Sequence, residues 1–105
     1  GLGIANILAG MEAGFDQFDA SFAGVGGCPF VPGAAGNVTT EDVLHMWDEM
    51  DIETGIDLDR AIEISRKVVK ILGHNTDSYL LRAGKSRDLL LELPKGQIQN
   101  QTMKR

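Results

Sequence analysis

The sequence has a single cysteine, Cys28, in 105 residues, and no Cys-x-x-His pattern. An internal disulfide and a structural zinc site are both excluded, and a reducing, cytoplasmic compartment is expected. Positive charge is also scarce, since 10 Lys and Arg against 15 Asp and Glu leave a net charge of -5. A nucleic-acid surface needs a basic excess to neutralise phosphates, so neither DNA nor RNA is expected as a partner. No apolar run approaches the roughly 20 residues that cross a bilayer, so no membrane partner is expected. The first residues lack the basic flank and cleavage site of a secretory peptide. The Asn-x-Thr triplets at Asn37 and Asn100 are therefore discounted as glycosylation sites. The opening Gly1-Leu2-Gly3-Ile4-Ala5-Asn6 has no initiator Met, cap or preceding strand, and reads as a chain cut within a motif.

What is present is ordinary for a soluble globular domain: 43% apolar and 24% charged residues. From Leu2 to Ala13 apolar residues wrap most of a helical cylinder, and Gly14 is placed as its stop. Such a helix is expected to be covered on more than one side. Phe15 to Ala23 then alternates, with Phe18, Ala20 and Phe22 on one face, which is the period of a strand. Thr39 is placed to cap a helix, with Asp42 completing a capping box and Val38 placed to staple onto Val43. Its stripe is Val43, Met46, Trp47 and Met50. A further helix follows an Asp57 cap, with Leu58, Ala61, Ile62, Ser65, Val68, Val69 and Leu72 on one side and Gly73 at its end. A weaker helical patch runs from Ser86 to Glu92, before Pro94 and a polar tail from Gln97 to Arg105. The order of helix, strand, loop and helix is that of an α/β protein. One strand cannot make a sheet, because its backbone groups need partners.

Between the strand and the Thr39 helix lies the segment Gly24 to Asn37, with five glycines and two prolines in fourteen residues. It can hold neither helix nor strand, and loops of this length in compact domains tend to be lids or binding loops. Cys28 sits between Gly26-Gly27 and Pro29, flexible before the thiol and stiff after it. Such a thiol suits a nucleophile or proton carrier if exposed, while the competing reading is a buried inert cysteine. Asn37 offers a side-chain carbonyl of the kind that Mg²⁺ or Mn²⁺ accepts, and equally suits a turn after Gly36. The glycines do not form a dinucleotide fingerprint, because position 29 is Pro. His45 and His74 have no second ligand at metal spacing and read as surface residues. Glu41 and Asp42 read as favourable charges at a helix N-terminus.

The run Gly24-Val25-Gly26-Gly27-Cys28-Pro29-Phe30, followed by Gly33-Ala34-Ala35-Gly36-Asn37-Val38-Thr39-Thr40-Glu41-Asp42, resembles the signature of 3-hydroxy-3-methylglutaryl-CoA lyases. Gly3 to Asn6 resembles the end of that family's His-Asp-Thr strand, and Phe18 to Ser21 its last barrel strand. The resemblance covers residues 1 to 72. It implies the C-terminal part of a (β/α)₈ TIM barrel, a fold of about 250 residues with its site at the strands' C-terminal ends. Residues 2–13 would be helix 7, 17–23 strand 8, 24–37 the catalytic loop and the helix from Thr40 helix 8, with residues 73–105 a C-terminal helical extension and tail.

The resemblance also implies a role for each end of the loop. Cys28 matches the family's catalytic cysteine, a proton carrier, and Asn37 matches an oxygen ligand of the divalent cation, Mg²⁺ or Mn²⁺. The implied reaction is retro-Claisen cleavage of an acyl-CoA, 3-hydroxy-3-methylglutaryl-CoA, to acetyl-CoA and acetoacetate. The family's remaining ligands and base should precede Gly1, so this chain alone is expected to be inactive. At full length a homo-oligomer is expected. The ending Thr102-Met103-Lys104-Arg105 differs from animal members that carry a terminal Cys and a peroxisomal address. The rival readings are a Claisen-type synthase of the same superfamily, which lacks the Gly-Gly-Cys-Pro segment, and an inactive truncated fragment.

Overall fold

A computed structural model describes residues 1–27, 30 and 32–88. The predicted patch from Ser86 to Glu92 lies partly outside these residues, and the Pro94 stop and polar tail lie wholly outside. Among the described residues the α-helices are α1 (Gly3–Glu12), α2 (Thr40–Glu49), α3 (Leu58–Leu72) and α4 (Tyr79–Ala83), with a short 3₁₀ turn (Phe22–Gly24) between α1 and α2 and helical backbone again at residues 86–88.

The helix ends are set by their caps. Thr39 Oγ1 accepts the Asp42 N–H at 3.1 Å and opens α2. Asp57 Oδ1 accepts the N–H groups of Asp59 at 2.9 Å and Arg60 at 3.3 Å and opens α3. These bonds satisfy donors that the first helical turn leaves without partners. Gly73, at φ 76, closes α3 in the left-handed region where glycine carries no Cβ penalty. The fourth helix was not foreseen. Ser78 caps it by accepting the Leu81 N–H at 3.3 Å.

The expected strand is not confirmed. Among the described residues there is no strand, and residues 17–23 contribute one isolated parallel bridge, Ser21 to Thr39. That bridge consists of the Ser21 N–H to the Val38 carbonyl at 3.1 Å and the Thr40 N–H to the Ser21 carbonyl at 2.9 Å. Directly after it the chain turns, because Ala23 adopts φ 57 and ψ 8. Alternation of side chains is a local property, whereas a ladder needs a neighbouring backbone along its length. The α/β class and the barrel are thus not realised within the described residues, which are helical.

Helix α1 docks by one face. Gly3, Ile7 and Gly10 fall on that face at the i, i+4, i+7 spacing of a helix. Ile7 is the buried member. A Cβ on Gly3 would lie 3.0 Å from Val38 Cβ, and one on Gly10 would lie 2.8 Å from Phe18 Cε1, so both glycines are points of close approach. Val38 therefore packs over α1. Phe18 in turn meets Trp47 with ring centroids 6.1 Å apart, and the Trp47 indole N–H points at Met11 Sδ from 2.8 Å. The expected cover on further sides of α1 is absent among the described residues, and Leu2 is 71% exposed.

The core sits where α2, α3 and α4 meet. Val43 and Leu44 of α2, Ala61 of α3 and Leu80 of α4 are buried, together with Ala23. Burying a side chain of the Val or Leu kind is worth roughly 1.5–3 kcal/mol. Within this apolar cluster lie polar side chains with less than 2% exposure: Glu41, Ser65 and Ser78.

Candidate functional site

The two arms of the glycine-rich segment run side by side at its feet. Gly24, at φ +74, approaches so closely that a Cβ there would sit 2.8 Å from Thr39 Cγ2 and 3.1 Å from the Asn37 carbonyl oxygen. Gly36, at φ +88, would carry a Cβ 3.1 Å from the Gly26 carbonyl oxygen. Both the backbone angle and the space demand glycine at these positions. The composition that marked a loop thus also allows its arms to close against each other.

At this junction the Val25 carbonyl accepts two hydrogen bonds, one from Ser21 Oγ at 2.9 Å and one from Asn37 Nδ2 at 2.9 Å. A carbonyl can only accept, so the Asn37 amide must turn its nitrogen inward. Its Oδ1 accepts no hydrogen bond among the described residues, and Asn37 is exposed. That orientation suits a hard divalent cation, which takes oxygen donors. One oxygen is not a cage, and among the described residues no group of three or more His, Cys, Asp or Glu side chains could hold a metal ion. The other predicted site residue, Cys28, lies outside the described residues.

A cleft of 370 Å³ opens beside the junction. One wall is the loop, with Gly24, Val25, Gly26, Ala34, Ala35, Gly36 and Asn37, and the other is the turn after α3, with Leu72, His74, Asn75, Thr76 and Asp77. His74 is exposed, and its Nδ1 lies 2.9 Å from the Asn75 carbonyl. His45 has a structural role: its Nε2 accepts the Ser86 N–H at 3.3 Å and lies 3.6 Å from Glu49 Oε1. Neither imidazole belongs to a group of three or more His, Cys, Asp or Glu side chains that could hold a metal ion among the described residues.

What fastens the two walls is a residue that the sequence reading assigned only to a helix terminus. Glu41 is 0% exposed. Its Oε1 accepts the Ala23 N–H at 3.0 Å and Ser65 Oγ at 2.8 Å, while Oε2 accepts Ser78 Oγ at 2.6 Å. The helix-dipole explanation is therefore insufficient, because a side chain serving only the dipole remains at the surface. The neighbouring Asp42 completes half the expected capping box and then departs from it. Its carboxylate accepts the N–H groups of Tyr79 at 3.2 Å and Leu80 at 2.8 Å, capping α4 rather than its own helix. No local signal announces these contacts, since the partners lie far along the chain and only the fold joins them.

The site can be set beside known proteins. The chain is 45% identical over 83 residues to the cytoplasmic 3-hydroxy-3-methylglutaryl-CoA lyase of Danio rerio, covering 79% of this chain and 25% of that protein. It is 39% identical over 83 residues to the 3-hydroxy-3-isohexenylglutaryl-CoA/hydroxy-methylglutaryl-CoA lyase of Pseudomonas aeruginosa, covering 79% and 28%. The solved structure of an HMG-CoA lyase from Acinetobacter baumannii, in complex with coenzyme A and 3-methylmalate, superposes with a TM-score of 0.79 at 51% identity. That match covers 84% of this chain and 29% of the other. The chain thus spans between a quarter and a third of the length of these relatives. The HMGL-like family model matches residues 1–68, a stretch that holds the loop, both its feet and the buried Glu41, and the chain belongs to that family.

Proposed function

We propose that this chain forms one part of the site of a carbon–carbon lyase that cleaves 3-hydroxy-3-methylglutaryl-CoA, or a close 3-hydroxyacyl-CoA, to acetyl-CoA and a keto acid. Two of the relatives carry that lyase name, and a third was solved with coenzyme A. The observation that carries the reading beyond family membership is the amide of Asn37, whose nitrogen is committed to the Val25 carbonyl and whose oxygen is free among the described residues. Residues 1–72 would belong to the barrel and 73–105 to its C-terminal extension. The other ligands and the base that accepts the substrate's hydroxyl proton would come from the share of the family's length that this chain does not span.

Asn37 would hold a divalent cation, Mg²⁺ or Mn²⁺, through Oδ1. When bound, the cation supplies Lewis-acid polarisation of the substrate's oxygens. Removal of the hydroxyl proton lets the carbon–carbon bond break, with its electron pair passing to the acetyl-CoA enolate. Protonation of that enolate at carbon completes the reaction. Cys28 would deliver or relay one of these protons. A cytoplasmic, acyl-CoA-binding homo-oligomer is the setting we propose. No described helix is long and apolar enough to cross a membrane.

The test is a chimera in which this chain replaces the corresponding part of the Acinetobacter baumannii lyase. Divalent-dependent release of acetyl-CoA from 3-hydroxy-3-methylglutaryl-CoA is expected. Cys28→Ala and Asn37→Ala should each lower kcat by roughly 10²–10⁴, the usual contribution of a positioned proton carrier or an electrostatic stabiliser. If both variants turn over like the parent chimera, the assignment of the two residues is wrong.

A further inference from the structure

The carboxylate of Glu41 is the most buried charged group among the described residues, and the proposed reaction does not use it. Its three hydrogen bonds come from three separate parts of the chain: the Ala23 N–H at the foot of the loop, Ser65 in the middle of α3, and Ser78 at the cap of α4. A buried carboxylate is tolerated only when its lone pairs are met by donors, so this arrangement fixes where those donors can be.

A second observation singles out one of the three. Ala23 has φ 57, one of two described non-glycine residues with positive φ. An alanine held in the left-handed region carries a steric cost of roughly 1–2 kcal/mol, and such residues persist only where their surroundings over-determine them. Ala23 is fully buried, with its N–H bonded to Glu41. Gly24, immediately after it, is already a wall of the 370 Å³ cleft. On the opposite wall, Asp77 precedes Ser78, which Glu41 also binds.

We infer that Glu41 is a positioning residue for this cleft: a buried carboxylate that ties the strained foot of the glycine loop to the turn between α3 and α4 and so sets the separation of the two walls. The inference goes beyond the lyase reading and holds for whatever chemistry the cleft serves. It distinguishes Glu41 from its neighbour Asp42, whose carboxylate is bound to the N-terminus of α4. It also gives Ser65 and Ser78 a shared task, since each hydroxyl occupies a lone pair that would otherwise be desolvated without a partner.

The test is amide hydrogen exchange on the full chain without ligand or substrate, so that its outcome is independent of any catalytic assay. In Glu41→Gln, where a neutral amide oxygen replaces the charged acceptor of the Ala23 N–H, exchange at Ala23 should rise roughly three- to tenfold, as expected when a charge-assisted hydrogen bond becomes a neutral one. Amides in the middle of α1 should change by less than about twofold, because sites without shared partners respond independently. Ser78→Ala should raise exchange at Ala23 by roughly threefold although it sits at the cap of α4, behind the opposite wall, and Ser78→Thr, which restores the hydroxyl, should return it to the parent rate. Unchanged exchange at Ala23 in both Glu41→Gln and Ser78→Ala overturns the inference. Should Glu41→Gln unfold the chain, the Ser78 pair decides alone: acceleration of all amides together, or no rescue by threonine, would reduce Glu41 to a general stabiliser.

Discussion

Around Glu41 the molecule is held by hydrogen bonds drawn from the loop foot, α3 and α4, whereas α1 is held mainly by apolar atoms that meet across glycines, with one hydrogen bond from the Trp47 indole to Met11 Sδ. The first kind of contact has a direction and a length. Displacing any partner by an ångström leaves a buried donor or a buried charge unmet. The second kind grows with area and tolerates sliding. The contrast explains why the walls of the cleft are attached to the Glu41 side, and why a partly exposed, largely apolar α1 can be set against it through Ile7, Met11, Phe18, Val38 and Trp47.

The comparison can be broken most directly at its centre. Glu41→Ala removes the acceptor of one buried N–H and two buried hydroxyls, and a loss of about 2–4 kcal/mol in urea unfolding of the chain is expected. A loss below about 1 kcal/mol would mean that water or neighbouring groups replace the carboxylate. The next effect belongs to the loop foot. Gly24→Ala places a methyl 2.8 Å from Thr39 Cγ2 and near the Asn37 carbonyl at positive φ, which should cost about 2–3 kcal/mol. Gly33→Ala, also at positive φ but with nothing within 4 Å of its Cβ, isolates the backbone term and should cost about 1–2 kcal/mol. Equal costs for the two would show that the arms do not close tightly.

On the α1 side the same substitution should be mild. Gly10→Ala meets the far end of the Phe18 ring, which can tilt away, and gains about 1 kcal/mol of helix propensity. A net change within about 1 kcal/mol is expected, and a larger loss would place α1 in the directional class with Glu41. The smallest effect lies at the surface. The Lys85 ammonium, 2.6 Å from Asp59 Oδ1, has its pKa raised from 10.5 chiefly by that hydrogen bond, against a lowering by desolvation and with help from the charges of Asp59 and Asp88. A raised folded-state pKa stabilises below the unfolded value and ceases to do so as pH climbs past the folded one. Stability should therefore hold up to about pH 10.5 and fall above it by a few tenths of a kcal/mol, since the Asp59 side chain is 69% exposed. Lys85→Met should remove that alkaline step in a pH series of unfolding curves.

Much of this structure was legible in the residues themselves. The caps at Thr39, Asp57 and Gly73 act within one helical turn, so the sequence nearby contains the whole interaction. The glycine-rich segment was legible for the same reason, and its pattern pointed to the family later matched over residues 1–68. The strand is not confirmed because alternation from Phe15 to Ala23 describes one chain only, and among the described residues its backbone finds a single bridge at Ser21. Helix α4 was missed because its five residues are too few to display a period.

The sequence by itself determined where the helices around the loop begin and end, that the segment from Gly24 to Asn37 is a loop, and to which family it belongs. Those properties rest on contacts between residues a few positions apart, or on a motif of adjacent letters. Only the tertiary structure decided that the Asn37 amide turns its oxygen outward, that Asp42 caps a helix other than its own, and that Glu41 lies buried among donors from three elements. Each of these depends on groups distant in sequence. A carboxylate's environment is set by what the fold brings around it, and its own neighbours in the chain do not carry that information.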